Sequence, residues 1–413
     1  MRIASALGLL LLAPLGACSS RALPPSPTPV VAVVGTVPAL AAEQQIPPSP
    51  PIVDAPKRPS LRWINAEGGG AGYLPIGDGD EIDDRARSFF GVGDARGVKS
   101  VTGAHPRAAL SIDADQICAL TPSLVTVRER ISLYISVGKP ITAPGADCLK
   151  AVHPPALAFA AESRGPLSPV MTALLTRLDD CEALGVEYAG DDIARLLGDR
   201  ASSPDSRSLR SITLAQSQLS ADGIRALTKR KKLRAIGLRA MSSPKAAGMA
   251  VGSGLSALAD LPELERLDLS YGPVTDDDLA AFSSAKALRW LMLESTKVGN
   301  AGLAHFAGSP DLEHIDANLT NVGDAALEAL AALRYVRVIS LVQTSVSDRG
   351  AAALARMKSL REIRLGATKV TDTGVEALLT LPELRRLSVP QTVSVAAIEK
   401  WKRTHPKVQI DRF

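Results

Sequence analysis

Between Leu264 and Pro406 the chain repeats itself every twenty-four residues. Rows begin at Leu264, Leu288, Leu312, Val336, Leu360 and Leu384, and a truncated row begins at Val408. Each full row reads close to L-x-x-L-x-L-x-x-T-x-V-x-D-x-G-L-x-x-L; the row from Leu360, LREIRLGATKVTDTGVEALLTLPE, is the most regular. This periodicity constrains the fold more than any other feature. A unit so short cannot bury its own apolar face, so successive units must stack and share one core, which makes a solenoid.

The columns of the row divide into two elements. L-x-x-L-x-L is a short strand whose apolar residues, Leu360, Ile363 and Leu365 in the best row, turn toward the core. Stacked rows pair these strands into a parallel sheet. The ninth column holds Thr296, Thr320, Thr344, Thr368 and Thr392. Their hydroxyls are expected to satisfy turn backbone between rows. The thirteenth column holds Asp276, Asn300, Asp324, Asp348 and Asp372, just ahead of apolar pairs at i, i+3 such as Leu279 and Phe282. Those positions predict the N-caps of the row helices. Strands stack about 4.8 Å apart, whereas helices need about 8–10 Å. The expected fold is therefore an α/β solenoid, a curved horseshoe with its parallel sheet on the concave face and its helices outside.

These rows resemble the leucine-rich repeats of bacterial envelope proteins, close in helix content to the ribonuclease-inhibitor and cysteine-containing subtypes. The most specific part is the T-x-V-T-D-x-G run from Thr368 to Gly374. The resemblance implies a binding scaffold and no particular ligand.

The chain opens MRIASALGLLLLAPLGACSS. Arg2 precedes an apolar run too short to span a membrane as a helix, and the segment reads as a signal peptide over 1–17. Leu15-Gly16-Ala17-Cys18 resembles the bacterial lipobox, which implies cleavage before Cys18, acylation of its thiol, and a place in the cell envelope. Ser19 after the cysteine resembles the outer-membrane-sorted class of two-membrane bacteria. An ordinary secretory signal that happens to contain a cysteine is the alternative. Residues 18–60 are rich in Pro, Ala and Ser, cannot bury enough to fold, and form a tether with a reach on the order of 100 Å.

Residues 61–106 carry Gly and Asp without an organised pattern and are expected to be irregular. Gly68–Gly72 lacks the ending of a phosphate loop, and Asp78, Asp80, Asp83 and Asp84 miss the spacing of a calcium loop. From 107 to 208 a degenerate echo of the row appears, with Leu110 and Ile112, Leu133 and Ile135, Leu157 and Phe159, and Leu184 and Val186 at the strand positions. These are read as divergent repeats, with a separate small α/β domain as the alternative. The regular array runs over 209–413. It is expected to end in a polar helix after the early Ile398 and a closing edge strand at Val408–Ile410, whose charge discourages further pairing.

A formal net charge of +4 over 413 residues argues against nucleic acid as a partner. Of four cysteines, Cys18 is assigned to lipid, Cys181 to a core column, and Cys118 and Cys148 to an optional disulfide. None of the five histidines stands in a metal-ligating spacing, no G-x-S-x-G elbow is present, and Cys118 lacks a catalytic signature. No enzyme activity and no cofactor are expected.

Two functions remain: a protein-interaction scaffold, and an envelope module that binds a cell-wall or surface polymer. Three Trp and five Tyr that do not recur with the period favour the protein partner. Residues between the core columns should point out of the concave face. The second column is Arg210, Arg234, Glu265, Arg289, Glu313, Arg337, Arg361 and Arg385; the third carries Arg266, Trp290 and His314 in consecutive rows. The partner site is therefore placed at Arg266, Tyr271, Trp290 and His314, beside a basic stripe of Arg289, Arg337 and Arg361, and an acidic partner would suit it. The competing reading is that the Arg and Glu of the second column pair along the ladder and attract nothing.

Overall fold

The computed structural model describes residues 61–64, 74–78, 90–91, 95–96 and 98–99, and from 108 to 413 all but 129–130, 136–140, 161–167, 177–180, 203–208 and 240–251. The signal-like segment, Cys18, the tether, Gly68–Gly72, Asp80, Asp83 and Asp84 lie outside the described residues.

Core columns alternate with outward ones, so every row offers a strand with one apolar edge. Among the described residues, fourteen such strands form one sheet in sequential order, every pair parallel. They are β3 (Phe90–Gly91), β4 (Ala108–Ile112), β5 (Ile131–Ile135), β6 (Ala156–Ala160), β7 (Ala183–Glu187), β8 (Ser211–Ala215) and β9 (Ala235–Arg239), then β10 (Arg266–Asp268), β11 (Trp290–Met292), β12 (His314–Asp316), β13 (Val338–Ser340), β14 (Glu362–Arg364), β15 (Arg386–Val389) and β16 (Gln409–Arg412). The degenerate rows thus share the sheet of the regular rows, and the register stays in phase across the junction, with Ala183 opposite Ser211 and Leu184 opposite Ile212. Two further strands, β1 (Leu61–Ile64) and β2 (Leu74–Asp78), form an antiparallel hairpin of their own. A stretch without sequence pattern therefore contains a hairpin and the edge strand β3.

Leu360, Ile363 and Leu365 are 0% exposed, and so is the valine of the eleventh column in every regular row from Val274 to Val370. Helices such as Asp324–Leu330, Asp348–Leu354 and Asp372–Leu378 close the other side of the core. Phe282 and Phe306 stack across two rows with ring centres 6.4 Å apart. The helix Val395–Thr404 is followed by β16, which pairs in parallel with β15. Cys118 and Cys148 are joined by a disulfide with Cα atoms 5.2 Å apart, which staples the helices Ile117–Val125 and Ala143–Val152 of neighbouring rows. Cys181 is a buried core residue whose thiol donates to the Pro154 carbonyl at 3.2 Å.

Two columns behave differently from the expectation. The threonine hydroxyls bond within their own row: Thr296, Thr320, Thr344 and Thr368 donate to the carbonyls of Leu293, Ala317, Leu341 and Leu365 at 2.6–2.8 Å. Only Thr392, in the row with a deletion, reaches back to the preceding row, at Val370. Of the Asp column only Asp276 stands at the N-cap of its own row, ahead of Asp277–Ser284, and its side chain makes no cap bond there. Gly323, Ser347 and Thr371 stand at the N-caps, and Asp324, Asp348 and Asp372 are the first helical residues.

Each acid instead caps the helix of the next row. Asp324 accepts from the amides of Ser347 (2.8 Å) and Gly350 (3.0 Å) and from the Ser347 hydroxyl (2.5 Å). Asp348 does the same for Thr371 and Gly374, and Asn300 accepts from Gly323 and Ala326. The D-x-G spacing follows from this contact. A Cβ on Gly350 would lie 2.5 Å from the Asp324 Oδ1, so the residue beneath an incoming carboxylate must be glycine.

A third regularity left no trace in residue type. Tyr188, Gln216, Tyr271, Ser295, Leu319, Gln343 and Ala367, all in the eighth column, have φ between 49° and 62°. None is glycine, although the left-handed conformation costs other residues roughly 1–2 kcal/mol. The turn is held from the next row. The amide of Tyr271 donates to the Glu294 carbonyl at 2.7 Å, that of Ser295 to Asn318 at 2.9 Å, and that of Leu319 to Val342 at 2.8 Å.

Candidate functional site on the sheet face

The sheet face opposite the helices is built by the odd columns, because Leu267, Leu291 and Ile315 in the fourth column enter the core. At the start of every regular strand two successive amides converge on one carbonyl of the preceding row. Arg289 and Trp290 both donate to Glu265, and Glu313 and His314 both donate to Arg289. This kink turns the second column out of the strand and onto its leading rim.

Arg289, Arg337 and Arg361 each stand one residue ahead of β11, β13 and β14. Several of the rim charges are already matched. Arg234 pairs with Glu265 at 2.7 Å, Arg289 with Glu313 through its Nε at 2.8 Å, Arg210 with Glu263 at 3.9 Å and Arg361 with Glu383 at 4.0 Å. Arg234 and Arg289 are thus held by close carboxylates, while the Arg210 and Arg361 contacts are long and exposed.

The third column keeps its place on the face. Arg266, Trp290 and His314 are in direct register on β10, β11 and β12. The Trp290 and His314 rings stack at 4.8 Å with 12° between their planes, and the Arg266 guanidinium lies 5.3 Å from the centre of the Trp290 ring. Arg266 is only 3% exposed, and its Nη2 lies 3.5 Å from the Met292 sulfur. Tyr271 stands on the left-handed turn after β10, under the Arg239 guanidinium at 5.3 Å. The structure thus brings four of the seven anticipated residues to one region of the face.

The fifth column and its neighbours complete that region, and sequence reading missed them. Asp268 is fully buried, with Oδ2 3.7 Å from the Arg239 Nε, and Glu362 bridges Arg364 and Arg386 at 2.5 Å each. Their signal was the same strand alternation that marked the third column; it went unread because Asp268, Met292, Asp316, Ser340 and Arg364 share no residue type.

Burial sets the protonation of this face. His314 is pushed down to about 3, first by burial and then by the cations of Arg266 and Arg364, so it is neutral at pH 7. Its Nδ1 has no hydrogen-bond partner among the described residues. Tyr271 is pushed up to about 12 by burial and by its bond to Glu294. Asp316 is pushed up to about 7, chiefly by burial, against the bond it accepts from the Asn318 amide. At the other end of the face Glu187 is also raised to about 7 by burial, with the Tyr134 hydroxyl donating to it at 3.3 Å.

The sign of the resulting pH dependence follows from proton counts. A carboxyl raised from its ordinary value binds more protons folded than unfolded, so its contribution is present at low pH and lost as pH rises toward 7. His314, lowered, contributes the opposite slope between about pH 3 and 6.5. Asp316→Asn removes one falling branch. Its stability relative to the parent chain is expected to grow by about 1–3 kcal/mol between pH 4.5 and pH 8. Urea midpoints at both pH values measure it; a difference that does not change with pH would mean that Asp316 titrates as an ordinary carboxyl.

No metal-binding group of three or more His, Cys, Asp or Glu occurs among the described residues. No protein-family model and no curated protein matches the chain. Among solved structures the chain is similar to an internalin from Listeria monocytogenes, at 14% identity over 73% of this chain and 94% of that one, with a TM-score of 0.39. The sequential parallel sheet, the helices on its far side and the twenty-four-residue row make the chain a leucine-rich-repeat solenoid of the α/β class.

Proposed function

We propose that this chain is a membrane-anchored envelope protein that holds a protein partner against the sheet face of its solenoid. The observation that carries the reading is the Arg266–Trp290–His314 stack. Trp290, His314 and Tyr271 are part-exposed while their neighbours lock their geometry, so little ordering remains to oppose binding. Trp, Tyr and Arg are also the residues that dominate interface energies. Glu265 and Glu313 engage Arg234 and Arg289, which lowers the demand for an acidic partner. The face offers both signs, Arg364 and Arg386 beside Glu362, around an aromatic edge.

Trp290→Ala is expected to weaken partner capture by at least about 2 kcal/mol and to leave the melting temperature nearly unchanged. A photo-crosslinking residue placed at Val338 in living cells identifies the partner; one placed on the helix side, at Glu376, should give no adduct. If Trp290→Ala unfolds the chain and spares capture, Trp290 is packing. Sedimentation with isolated cell-wall sacculi that survives Trp290→Ala would favour the polymer-binding alternative.

The anchor is Cys18. Supporting it are the Leu15-Gly16-Ala17-Cys18 run, the Pro-rich segment behind it, and a disulfide suited to an oxidising compartment. No helix among the described residues is long and apolar enough to cross a membrane. Cys18→Ser is expected to leave the membrane fraction and to lose labelling by a fatty-acid analogue; equal labelling of both proteins would refute the anchor.

A further inference from the structure

The connections that lead from each helix into the next strand change in charge along the array. Ahead of β10, β11 and β12, residues 261–265, 285–289 and 309–313 hold four acids, Glu263, Glu265, Asp311 and Glu313, and two cations, Lys286 and Arg289. Ahead of β13 to β16, residues 331–337, 355–361, 379–385 and 405–408 hold seven lysines and arginines and one acid, Glu383. The opposite edge differs. The strand-to-helix turns after β12 to β15, residues 317–323, 341–347, 365–371 and 390–394, carry Lys369 as their one charge. The excess of cations is therefore confined to one edge of the last four rows.

These connections stack in register. The Arg361 amide donates to the Arg337 carbonyl, that of Arg385 to Arg361 and that of Gln409 to Arg385, each at 2.8 Å. Rows repeat at about 4.8 Å on the strand side and about 8–10 Å on the helix side, so four of them make a strip about 15–30 Å long. Arg334, Arg356, Arg385 and Lys407 are exposed on it, with Arg403 beside them in the last turn of the helix Val395–Thr404. None of the five side chains makes an ion pair or a hydrogen bond among the described residues. Helix C-termini attract cations in any fold. That accounts for Lys286 and Lys358, whose ammonium groups donate to the helix-end carbonyls of Ser283 and Ala355 at 2.9 and 2.7 Å. It does not account for the arginines, because every row ends a helix at this edge and only the last four carry the excess. Unmatched like charges in a strip repel one another, and a surface of opposite charge relieves that repulsion.

We propose that this edge of the last four rows docks on an anionic phospholipid surface, so that the solenoid lies on the membrane with its helix-to-strand connections down. A bilayer presents phosphates at every point along such a strip, whereas an acidic protein would have to set a carboxylate opposite each arginine. Tyr335, part-exposed between Arg334 and Arg337, is of the residue type that settles at headgroup level. The anionic chemistry is independent of the partner reading for the sheet face. The choice of lipid rests on the proposed anchor, which holds the chain where such headgroups are concentrated.

The test uses the full chain with vesicles of phosphatidylcholine alone and of phosphatidylcholine with a quarter of phosphatidylglycerol. A fluorophore is placed at Ala332→Cys, in the first basic connection, or at Ser345→Cys, on a strand-to-helix turn; both positions are exposed. Lipid headgroups carry a nitroxide quencher. On the anionic vesicles the label at 332 is expected to be quenched at least about five-fold more than the label at 345, and at about 0.5 M salt the two should be alike. On phosphatidylcholine alone they should also be alike. Arg334→Glu with Arg356→Glu, Arg385→Glu and Lys407→Glu should abolish the difference, whereas lysine at the three arginine positions should preserve it. If the reversed chain fails to fold, glutamine at the same four positions takes its place. Equal quenching of the two edges on the anionic vesicles, or a difference that survives removal of the charges, overturns the proposal. Failure of the anchor reads out separately: the full chain then stays in solution with phosphatidylcholine, while the anionic vesicles still report on the edge.

Discussion

Ile363→Ala is expected to lower the free energy of unfolding by about 2–5 kcal/mol. The side chain is fully buried, in register between Ile339 and Leu387 on the neighbouring strands. Truncation removes its transfer free energy and leaves a void that cannot readily close, because both flanking rows are held by their own ladders. The solenoid gives the result a second signature. Each row touches only its neighbours, so the loss should appear first as faster hydrogen exchange in β13, β14 and β15 and only weakly in β5 or β6. Arg361→Ala, two residues away on the rim, is the control and should cost at most about 1 kcal/mol. A parent-like melt for Ile363→Ala would mean that the strand faces the other way.

Asp324→Ala should cost about 1.5–3 kcal/mol, more than the loss of an ordinary N-cap, because one carboxylate satisfies two amides and a hydroxyl of the next row. Gly350→Ala should be destabilising too, by about 1–3 kcal/mol, although alanine is the better helix former. Its Cβ would meet the Asp324 carboxylate at 2.5 Å and Val346 at 2.9 Å. The two costs should not add. With the carboxylate gone, much of the clash at Gly350 goes with it, so a double-mutant cycle should return a coupling of about 1 kcal/mol or more. Additive costs would show that the acid and the glycine act separately, each within its own row. Denaturant titrations of the four proteins, with the helix signal as readout, measure all of this.

The trans-capping acids show where sequence reading reached and where it stopped. Asp276, Asn300, Asp324, Asp348 and Asp372 were recognisable as capping residues by type and by position before the apolar pair. The helix they cap was not, because twenty-four residues along the chain correspond to one strand spacing through space. Any side chain at the end of a row is as close to the next row as to its own. The threonine column reversed the same ambiguity, with bonds expected between rows and found within them.

Along the chain, the period alone determined the solenoid: the core columns, the parallel sheet and the helix per row follow from stacking identical units that cannot be stable singly. Tertiary structure decided what faces where. The second column reads as a basic stripe in the sequence, and only the stacked rows pair Arg234 with Glu265 and Arg289 with Glu313 along it. The third column became a stack of Arg266, Trp290 and His314 only because the strands run in strict register. The left-handed turn at Tyr271 and its equivalents is invisible in residue type, since its stabilising partner is a carbonyl of the neighbouring row. Nor could any pattern between 61 and 106 announce a hairpin seated on β5, β6 and β7. The strands beneath β2 lie in three rows between Ile131 and Glu187, and only the stacked sheet brings them side by side.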